Sequence, residues 1–572
     1  MILLNPKHRA RTYPDARSGE VMEKTIAFFE QKGKDKLEAD YYAHGWYSDF
    51  LDFVKRERIF ATMVTPAGYG APDARWDTFR ICEFAEILGF YGLPYWYTWQ
   101  VSVLGLGPLW MSANEPLKQK TAAYLEDGGI FAFGLSEKEH GADIYSTSMT
   151  LTPQADGTYL ASGSKYYIGN ANKASIVSTF GKLAGTGEYV FFAADPTHPR
   201  YELVQNVVAS QNYVAEYALH DYPVTEADIL HRGQAAWDAA LNTVNIGKYN
   251  LGWASIGICT HALYEAIDHA ANRRLYGMAV TDFSHVKQMF VDAYSRLVAM
   301  KLFALRASDY MRSASAEDRR YLLYNPMVKM KVTTQGEEVI NLLWDVIAAK
   351  GFEKNMYFTQ AAVDIRALPK LEGTVHVNVA LIAKFMPNYF FAPAEFAPVP
   401  TRDDATHDAF LFAQGSTRGL GKIRFHDYNP VFAASALPNV ALFAEQTELF
   451  KQMLMAAPPN EKQQKDIDFL LAGGEIFALV VYAQLILENA RLLDVGDDLV
   501  GQIFDFMVRD FSRLALNLYS KPTSTPEQMA FCQRMIQKPV EDTARYDRVW
   551  TEQVHSLKGA YQMSAKGSAA AG

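Results

Sequence analysis

The periodicity of this chain changes twice, and the order of the changes limits the folds open to it. Up to about Glu126, apolar residues recur at three- and four-residue spacing, as in Glu20 to Phe29 and Asp77 to Leu88, which predicts helices. Pro66-Ala67-Gly68-Tyr69-Gly70 interrupts them as a loop. From Phe131 to about Leu219 the pattern becomes strand-like. Thr147 to Thr152, Tyr159 to Ile168, Ile176 to Leu183 and Tyr189 to Ala193 are rich in Thr, Tyr, Val and Phe, with Asp156-Gly157 as a hairpin turn. Helical period returns from about Ala235. Val286, Met289, Phe290, Ala293, Leu297 and Met300 share one face of a long helix, and Met327 to Ala349 forms another.

Phe391 to Pro400 is a Pro/Ala-rich break, and irregular sequence continues to about Pro438. Four helical segments follow: Val440–Met455, Lys465–Leu493, Leu499–Tyr519 and Thr543–Met563. The closing Ser568 to Gly572 is expected to be disordered. Helices, an all-β insert, helices and a further helical unit make an α+β chain rather than a βαβ one. The divisions read as 1–128, an N-terminal helical domain; 129–234, a middle β-domain; 235–390, a helical bundle; 391–438, a linker; and 439–572, a C-terminal helical extension.

At 572 residues the chain is too long for one ordinary core. Its net charge of −9, with no basic stripe, offers nothing to nucleic acid. Cys82, Cys259 and Cys532 are dispersed and odd in number, which argues against a disulfide framework or a zinc site and suits a reducing compartment. MILLNPKHRARTYPD at the start is not a secretory signal. The apolar run Ile476 to Leu487 contains Gln484 and is bounded by Glu475 and Glu488, which reads as a buried helix rather than a transmembrane span. A soluble, cytoplasmic protein is expected.

Two glycine-rich stretches are poor phosphate loops. Gly105-Leu106-Gly107-Pro108 lacks a third glycine and a surrounding βαβ unit, so it reads as a helix-breaking turn. Gly415 to Lys422 is one residue too long for a P-loop, and Ile423 replaces the Ser/Thr. No His-Glu-x-x-His, Cys-x-x-Cys or Gly-x-Ser-x-Gly occurs.

Four other segments resemble, in order, the acyl-CoA dehydrogenase family, and with their flanks cover about Ala61 to Met386. The first is Phe133-Gly134-Leu135-Ser136-Glu137 followed by Gly141-Ala142-Asp143; the second is Gly163-Ser164-Lys165-Tyr166-Tyr167-Ile168-Gly169-Asn170. The third is Arg273-Arg274-Leu275-Tyr276-Gly277, with Phe283 and Asp292 at matching distances. The fourth is Asp364 and Arg366, then Leu371-Glu372-Gly373-Thr374. Taken singly, each has a plain structural counterpart, such as a half-buried strand with two tyrosines or a carboxylate at a helix N-terminus.

The resemblance implies the family fold: an N-terminal helical domain, a middle β-barrel or sandwich domain and a C-terminal four-helix bundle. The extra helical domain is similar to those of very-long-chain members and acyl-CoA oxidases. It implies FAD as cofactor. Phe133, Leu135, Ser136, Gly141 and Ala142 would lie along the flavin, as would Tyr167, Gly169, Thr374 and His376, while Arg273, Tyr276 and Ser284 would hold the FAD pyrophosphate and adenine side across a subunit interface. Ala142, Gly169 and Ser284 depart from the usual Ser, Thr/Ser and Gln, and Ala348-Ala349 replaces a glycine pair.

Glu372 would be the catalytic base, removing the pro-R α-proton of an acyl-CoA thioester while the β-hydrogen passes as hydride to flavin N5, giving a trans-2-enoyl-CoA. Asn245, Lys248 and Gly373 would meet the substrate, Lys248 standing where many members have Arg. Implied with these are a homodimer or homotetramer, an electron-transfer flavoprotein partner, a place in fatty acid β-oxidation, and room for peripheral membrane contact. The C-terminal extension leans the substrate toward a long or bulky acyl group. An acyl-CoA oxidase would share the half-reaction. A flavin monooxygenase of the same fold has no need of Glu372, and a DNA-associated relative needs a basic C-terminal unit that Val440 to Gly572 lacks.

Overall fold

The structure, a computed structural model, describes residues 2–8 and 12–567; Ser568 to Gly572 lie outside them. Seven helices come first: α1 (Ala16–Lys32), α2 (Lys34–Tyr42), α3 (Ser48–Arg56), α4 (Ile59–Val64), α5 (Thr78–Tyr91), α6 (Leu93–Met111) and α7 (Glu115–Glu126). Asp77 caps α5 by accepting from the Phe79 and Arg80 amides. Gly105, Gly107 and Pro108 do not break a helix, as the sequence had implied. All three lie inside α6. A Cβ on Gly105 would fall 2.7 Å from the Ala132 amide nitrogen, and one on Gly107 would strike Thr243. The glycines are there for close approach, which lets α6 press against both the β-domain and the long helix behind it.

The β-domain comprises β1 (Phe131–Gly134), β2 (Thr150–Pro153), β3 (Tyr159–Gly169), β4 (Ile176–Leu183), β5 (Tyr189–Ala194), β6 (Tyr201–Asn206), β7 (Val214–Val224) and β8 (Ile229–Arg232). They form one sheet in the order β6-β7-β3-β2-β4-β5-β8, with β1 parallel to β4. Met149, Leu151, Ala161, Val177 and Tyr217 belong to its own core. β2 starts three residues later than expected because Thr147 and Ser148 bond the Glu137 carboxylate instead of a neighbouring strand.

The bundle is built from α8 (Gly233–Asn272), α9 (Ser284–Arg312), α10 (Tyr321–Met327), α11 (Thr333–Ile347), α12 (Phe358–Ala367) and α13 (Val375–Ile382), with the hairpin of β9 (Arg274–Leu275) and β10 (Met278–Ala279) after α8. Gly257 of α8 meets the α5 backbone so closely that a Cβ there would strike the Glu86 carbonyl. Met327 to Ala349, expected as one regular helix, is interrupted by a π-helical turn, Val328–Val332, between α10 and α11.

After α14 (Met386–Phe391), residues 391–438 are irregular but not a free tether. Asp408 pairs with Arg312 at 3.2 Å and accepts from the Thr78 amide at 2.6 Å, and Phe412 packs edge-on against Trp76. The segment contains α15 (Asn429–Ala433), and beyond it lie α16 (Pro438–Ala456), α17 (Ile467–Leu492), α18 (Asp497–Tyr519), α19 (Pro526–Met535), which the sequence reading missed, and α20 (Thr543–Arg548). The helical course after Asp542 ends at Leu557, short of the expected Met563. α17 is long and apolar enough to cross a membrane, but 78% of its apolar window is buried within the fold. Arg296 of α9 pairs with Asp510 of α18 at 2.8 Å, and Tyr561 donates to Glu30 at 2.7 Å, so the extension closes back on the first helices.

Candidate active site

Glu372 sits in the connection between α12 and α13 on left-handed backbone, φ 52°, followed by Gly373 at φ 86°. Thr374 then caps α13 by accepting from the Val377 amide. Two tight residues before a cap turn the carboxylate away from the helix and toward α6 and α8. There Gln100 Nε2 donates to Glu372 Oε1 at 2.6 Å and to the Gly247 carbonyl at 3.0 Å, while Asn250 Nδ2 donates to Gln100 Oε1 at 3.0 Å. Glu372 Oε2 is sealed from solvent and has no hydrogen-bond partner among the described residues. It lies 3.3 Å from where a Gly247 Cβ would stand, so any side chain at 247 would crowd it.

Two lysines flank the carboxylate. Lys248 is buried, and among the described residues its ammonium has no hydrogen bond or ion pair. Lys329, carried by the π-helical turn, donates to the Pro369 carbonyl at 2.7 Å and to the Gly373 carbonyl, clamping both ends of the loop that holds Glu372. Burial pushes Glu372 up to about 7, against the hydrogen bond from Gln100 and the charges of Lys329 and Lys248. Burial likewise brings Lys248 down to about 8 and Lys329 to about 7, with Glu372 opposing both shifts. The result is a carboxylate able to take or hold a proton near neutrality, the range a general base needs.

The β-domain approaches from the other side of α6. Ser136 Oγ donates to the Tyr166 carbonyl at 2.7 Å, and the Ser136 main-chain carbonyl accepts from the Tyr166 amide at 3.0 Å, which leaves the hydroxyl lone pairs free to accept. Glu137 anchors this loop: Lys165 Nζ lies at 2.8 Å, Thr147 Oγ1 at 2.5 Å and the Ser148 amide at 2.7 Å. Burial, which would raise Glu137, is outweighed by Lys165 and these donors, and the carboxyl is held at about 2. Lys165 also donates to the Leu135 carbonyl at 3.0 Å, and Phe133 stacks on Phe191. Tyr167 is 61% exposed on left-handed backbone, φ 64°, an uncommon conformation for an aromatic residue and one that holds its ring outward. Gly141 and Ala142 are exposed.

Gly169 has a steric reason to lack a side chain. A Cβ there would stand 2.6 Å from Tyr97 Cε1 and 2.9 Å from Tyr97 Oη. The phenol occupies the space that a side-chain hydroxyl would need. Burial and Glu372 both raise the Tyr97 pKa, so the phenol stays protonated. Next to it, Asn170 bonds Thr98, Ser102 and the Phe131 carbonyl, tying α6 to β1 and β3.

The remaining residues fall elsewhere. Asn245 is half-buried, its carbonyl accepting from Asn325 at 3.0 Å, and His376 is exposed. Arg273, the residue just after α8, follows Lys248 by 25 positions, about 37 Å at 1.5 Å per residue. Tyr276, 94% exposed at φ 51°, and Ser284 lie beyond that end. Ser284 opens on a cleft of about 770 Å³ between α9 and the C-terminal extension. Ala348 takes φ 56°, so the alanine that replaces a glycine keeps a glycine-like backbone. Gln100, Tyr97, Asn250 and Lys329 were missed at the sequence level. Thr98, Gln100 and Ser102 in an otherwise apolar buried helix were the available signal.

The family model described as acyl-CoA dehydrogenase, C-terminal domain, matches residues 236–386. The chain is 24% identical over 344 residues to the caffeyl-CoA reductase-Etf complex subunit CarC of Acetobacterium woodii, covering 59% of this chain and 88% of that one. It is 24% identical over 291 residues to the mitochondrial short-chain specific acyl-CoA dehydrogenase of Bos taurus, covering 49% and 68%. Among solved structures, the FAD complex of an acyl-CoA dehydrogenase from Bacillus anthracis superposes with a TM-score of 0.76 at 15% identity, covering 97% of both chains. Butyryl-CoA dehydrogenase of Megasphaera elsdenii gives 0.58 at 18% identity, covering 66% of this chain and 99% of that one. The C-terminal extension thus has a counterpart in the first fold and none in the second.

Proposed function

We propose that this chain, which belongs to the acyl-CoA dehydrogenase family of oxidoreductases, binds FAD and catalyses α,β-dehydrogenation of an acyl-CoA thioester with Glu372 as the base. The observation that carries the reading is the Glu372 carboxyl itself, brought to about 7 and with one oxygen sealed and unpartnered. An acyl chain entering between α6 and α8 would meet that oxygen with its α-carbon, and the α-proton would pass to it as the C–H electron pair moves toward the Cα–Cβ bond. FAD, when bound, supplies the acceptor for the β-hydrogen and its electron pair. Gln100 and the two lysines favour the ionised base before reaction. Ser136 and the outward ring of Tyr167 would hold the flavin face, and the small Gly169 leaves the Tyr97 phenol beside it.

The distance along α8 from Lys248 to Arg273 supports a homodimer in which the second subunit's arginine reaches the FAD pyrophosphate. The Acetobacterium woodii relative, a subunit of an Etf complex, supports an electron-transfer flavoprotein as the physiological acceptor. The test is anaerobic titration of the yellow protein with acyl-CoAs of increasing length. Bleaching with wild type and none with Glu372→Gln is expected. No bleaching by any thioester would reject the substrate class, and hydrogen peroxide formed in air at the rate of substrate use would replace the dehydrogenase reading with an oxidase.

A further inference from the structure

The glycine-rich stretch that fails as a P-loop lines a cleft of about 630 Å³ together with the turn after α9. Arg319, Arg418, Lys422 and Arg424 all face this cleft, and Glu317 is the one acid on its wall. Among the described residues, none of the four cations has a carboxylate at ion-pair distance, although neighbouring arginines do: Arg320 pairs with Asp318 at 2.6 Å and Arg402 with Asp404 at 2.9 Å. In a chain of net charge −9, four unneutralised cations around one hollow are not a by-product of composition.

The guanidinium groups are oriented by neutral acceptors. Arg319 donates to the Ser416 carbonyl at 2.9 Å, Arg424 to the Ala392 carbonyl at 3.0 Å, and Arg418 to the Gln234 side chain. Each retains further N–H donors, and Arg319 Nε is sealed from solvent with no acceptor among the described residues. Phe396 adds an aromatic wall, its ring backed at 4.0 Å by the Arg320 guanidinium. Gly415 and Gly419 take φ 73° and 80°, which fold the loop back, and nothing lies within 4 Å of Gly421's open side.

The loop is fixed to the helix that bears the candidate site. Asn242 Nδ2 donates to the Gly415 carbonyl at 2.8 Å, and Asp238 Oδ1 accepts from the Thr417 amide at 3.0 Å and hydroxyl at 2.8 Å. Asn242 and Gln234 precede Lys248 on α8 by about 9 and 21 Å of helix rise. The cleft therefore stands along α8 from Glu372, on the side away from Arg273.

We propose that this cleft binds the adenosine-phosphate end of the substrate's thioester carrier, the cations taking the phosphomonoester and Phe396 the base. The proposal rests on the acyl-CoA reading and gives it a recognition site built jointly by the matched domain, through Arg319, and the segment beyond it. It differs from a P-loop in that side chains, not backbone amides, meet the phosphate.

The test is calorimetric titration of the full-length holoprotein with adenosine 3′,5′-bisphosphate, with adenosine and inorganic phosphate as comparison probes. The variants are Arg418→Gln/Lys422→Gln, both on an exposed loop, and Lys451→Gln/Lys462→Gln, which removes the same charge elsewhere. The bisphosphate is expected to bind wild type more tightly than either comparison probe, with affinity falling as salt rises. The loop variant is expected to bind at least about tenfold more weakly, and the distant variant to match wild type. The preference for acyl-CoA over its 3′-dephospho form should shrink toward unity in the loop variant. Equal bisphosphate affinity in loop variant and wild type, an equal loss in the distant variant, or inorganic phosphate binding as tightly as the bisphosphate would each overturn the proposal. Since the bisphosphate carries no acyl group, its binding is read independently of whether any thioester bleaches the flavin.

Discussion

Replacing Gln100 with leucine removes the one hydrogen bond that, among the described residues, Glu372 receives from a side chain, at 2.6 Å, while keeping a side chain of similar bulk in α6. A hydrogen bond to a charged group contributes about 1.5–3 kcal/mol, and it favours the carboxylate over the carboxylic acid. One pKa unit corresponds to about 1.4 kcal/mol, so the loss should lift Glu372 by about one to two units. The starting point is about 7, and the lysines continue to oppose the rise. The acidic limb of kcat/KM, which reports the free enzyme, should therefore move to about pH 8 to 9. The measurement is the rate of anaerobic flavin bleaching by an acyl-CoA, across pH, for wild type and Gln100→Leu. A rate that recovers on the alkaline side is the expected signature. If the limb stays in place, moves to lower pH, or the rate falls by the same factor at every pH, Gln100 does not tune the base and the reasoning fails.

Glu372→Gln should melt above wild type at pH 8, with the difference fading toward pH 5. The folded pKa of about 7 lies above the ordinary 4.5, so the native state holds the proton more tightly and wild type loses stability as pH rises through that window. Lys165→Met should cost about 3–5 kcal/mol in chemical denaturation by leaving Glu137 charged and buried without its cation, and Glu137→Leu in the same protein should recover part of it. Gly169→Ser should cost about 1–3 kcal/mol by overpacking against Tyr97, and Tyr97→Thr should relieve it in a double-mutant cycle; additive losses would show that the two do not compete for one space.

The runs around Ser136, Lys165, Arg273 and Glu372 could be picked out as motifs because each is local, its residues lying within a few positions. Their setting was not. Gln100 reaches Glu372 across 272 positions, and Lys329 reaches the loop holding Glu372 across 40 and 44. Gly169 looked like a missing hydroxyl, and only the Tyr97 ring beside it shows why a side chain does not fit. Gly105 and Gly107 read as a turn because local rules treat glycine as a breaker, whereas close contact with Ala132 and Thr243 keeps them helical. Residues 391–438 lack a hydrophobic period and read as a linker. They are held instead by scattered contacts such as Asp408 with Arg312 and Phe412 with Trp76, which leave no periodic trace.

By itself the sequence determined the order of helical, β and helical units, since period follows from the repeat of the backbone and needs no distant partner. It also fixed which carboxylate stands ahead of α13. Only the tertiary structure decided that this carboxylate titrates near neutrality, because that depends on which groups from α6, α8 and the π-helical turn exclude water around it. The same holds for the cleft at Gly415 to Lys422: the loop fails as a backbone phosphate cradle, and Arg319 joins its cations only when the chain folds back over α8.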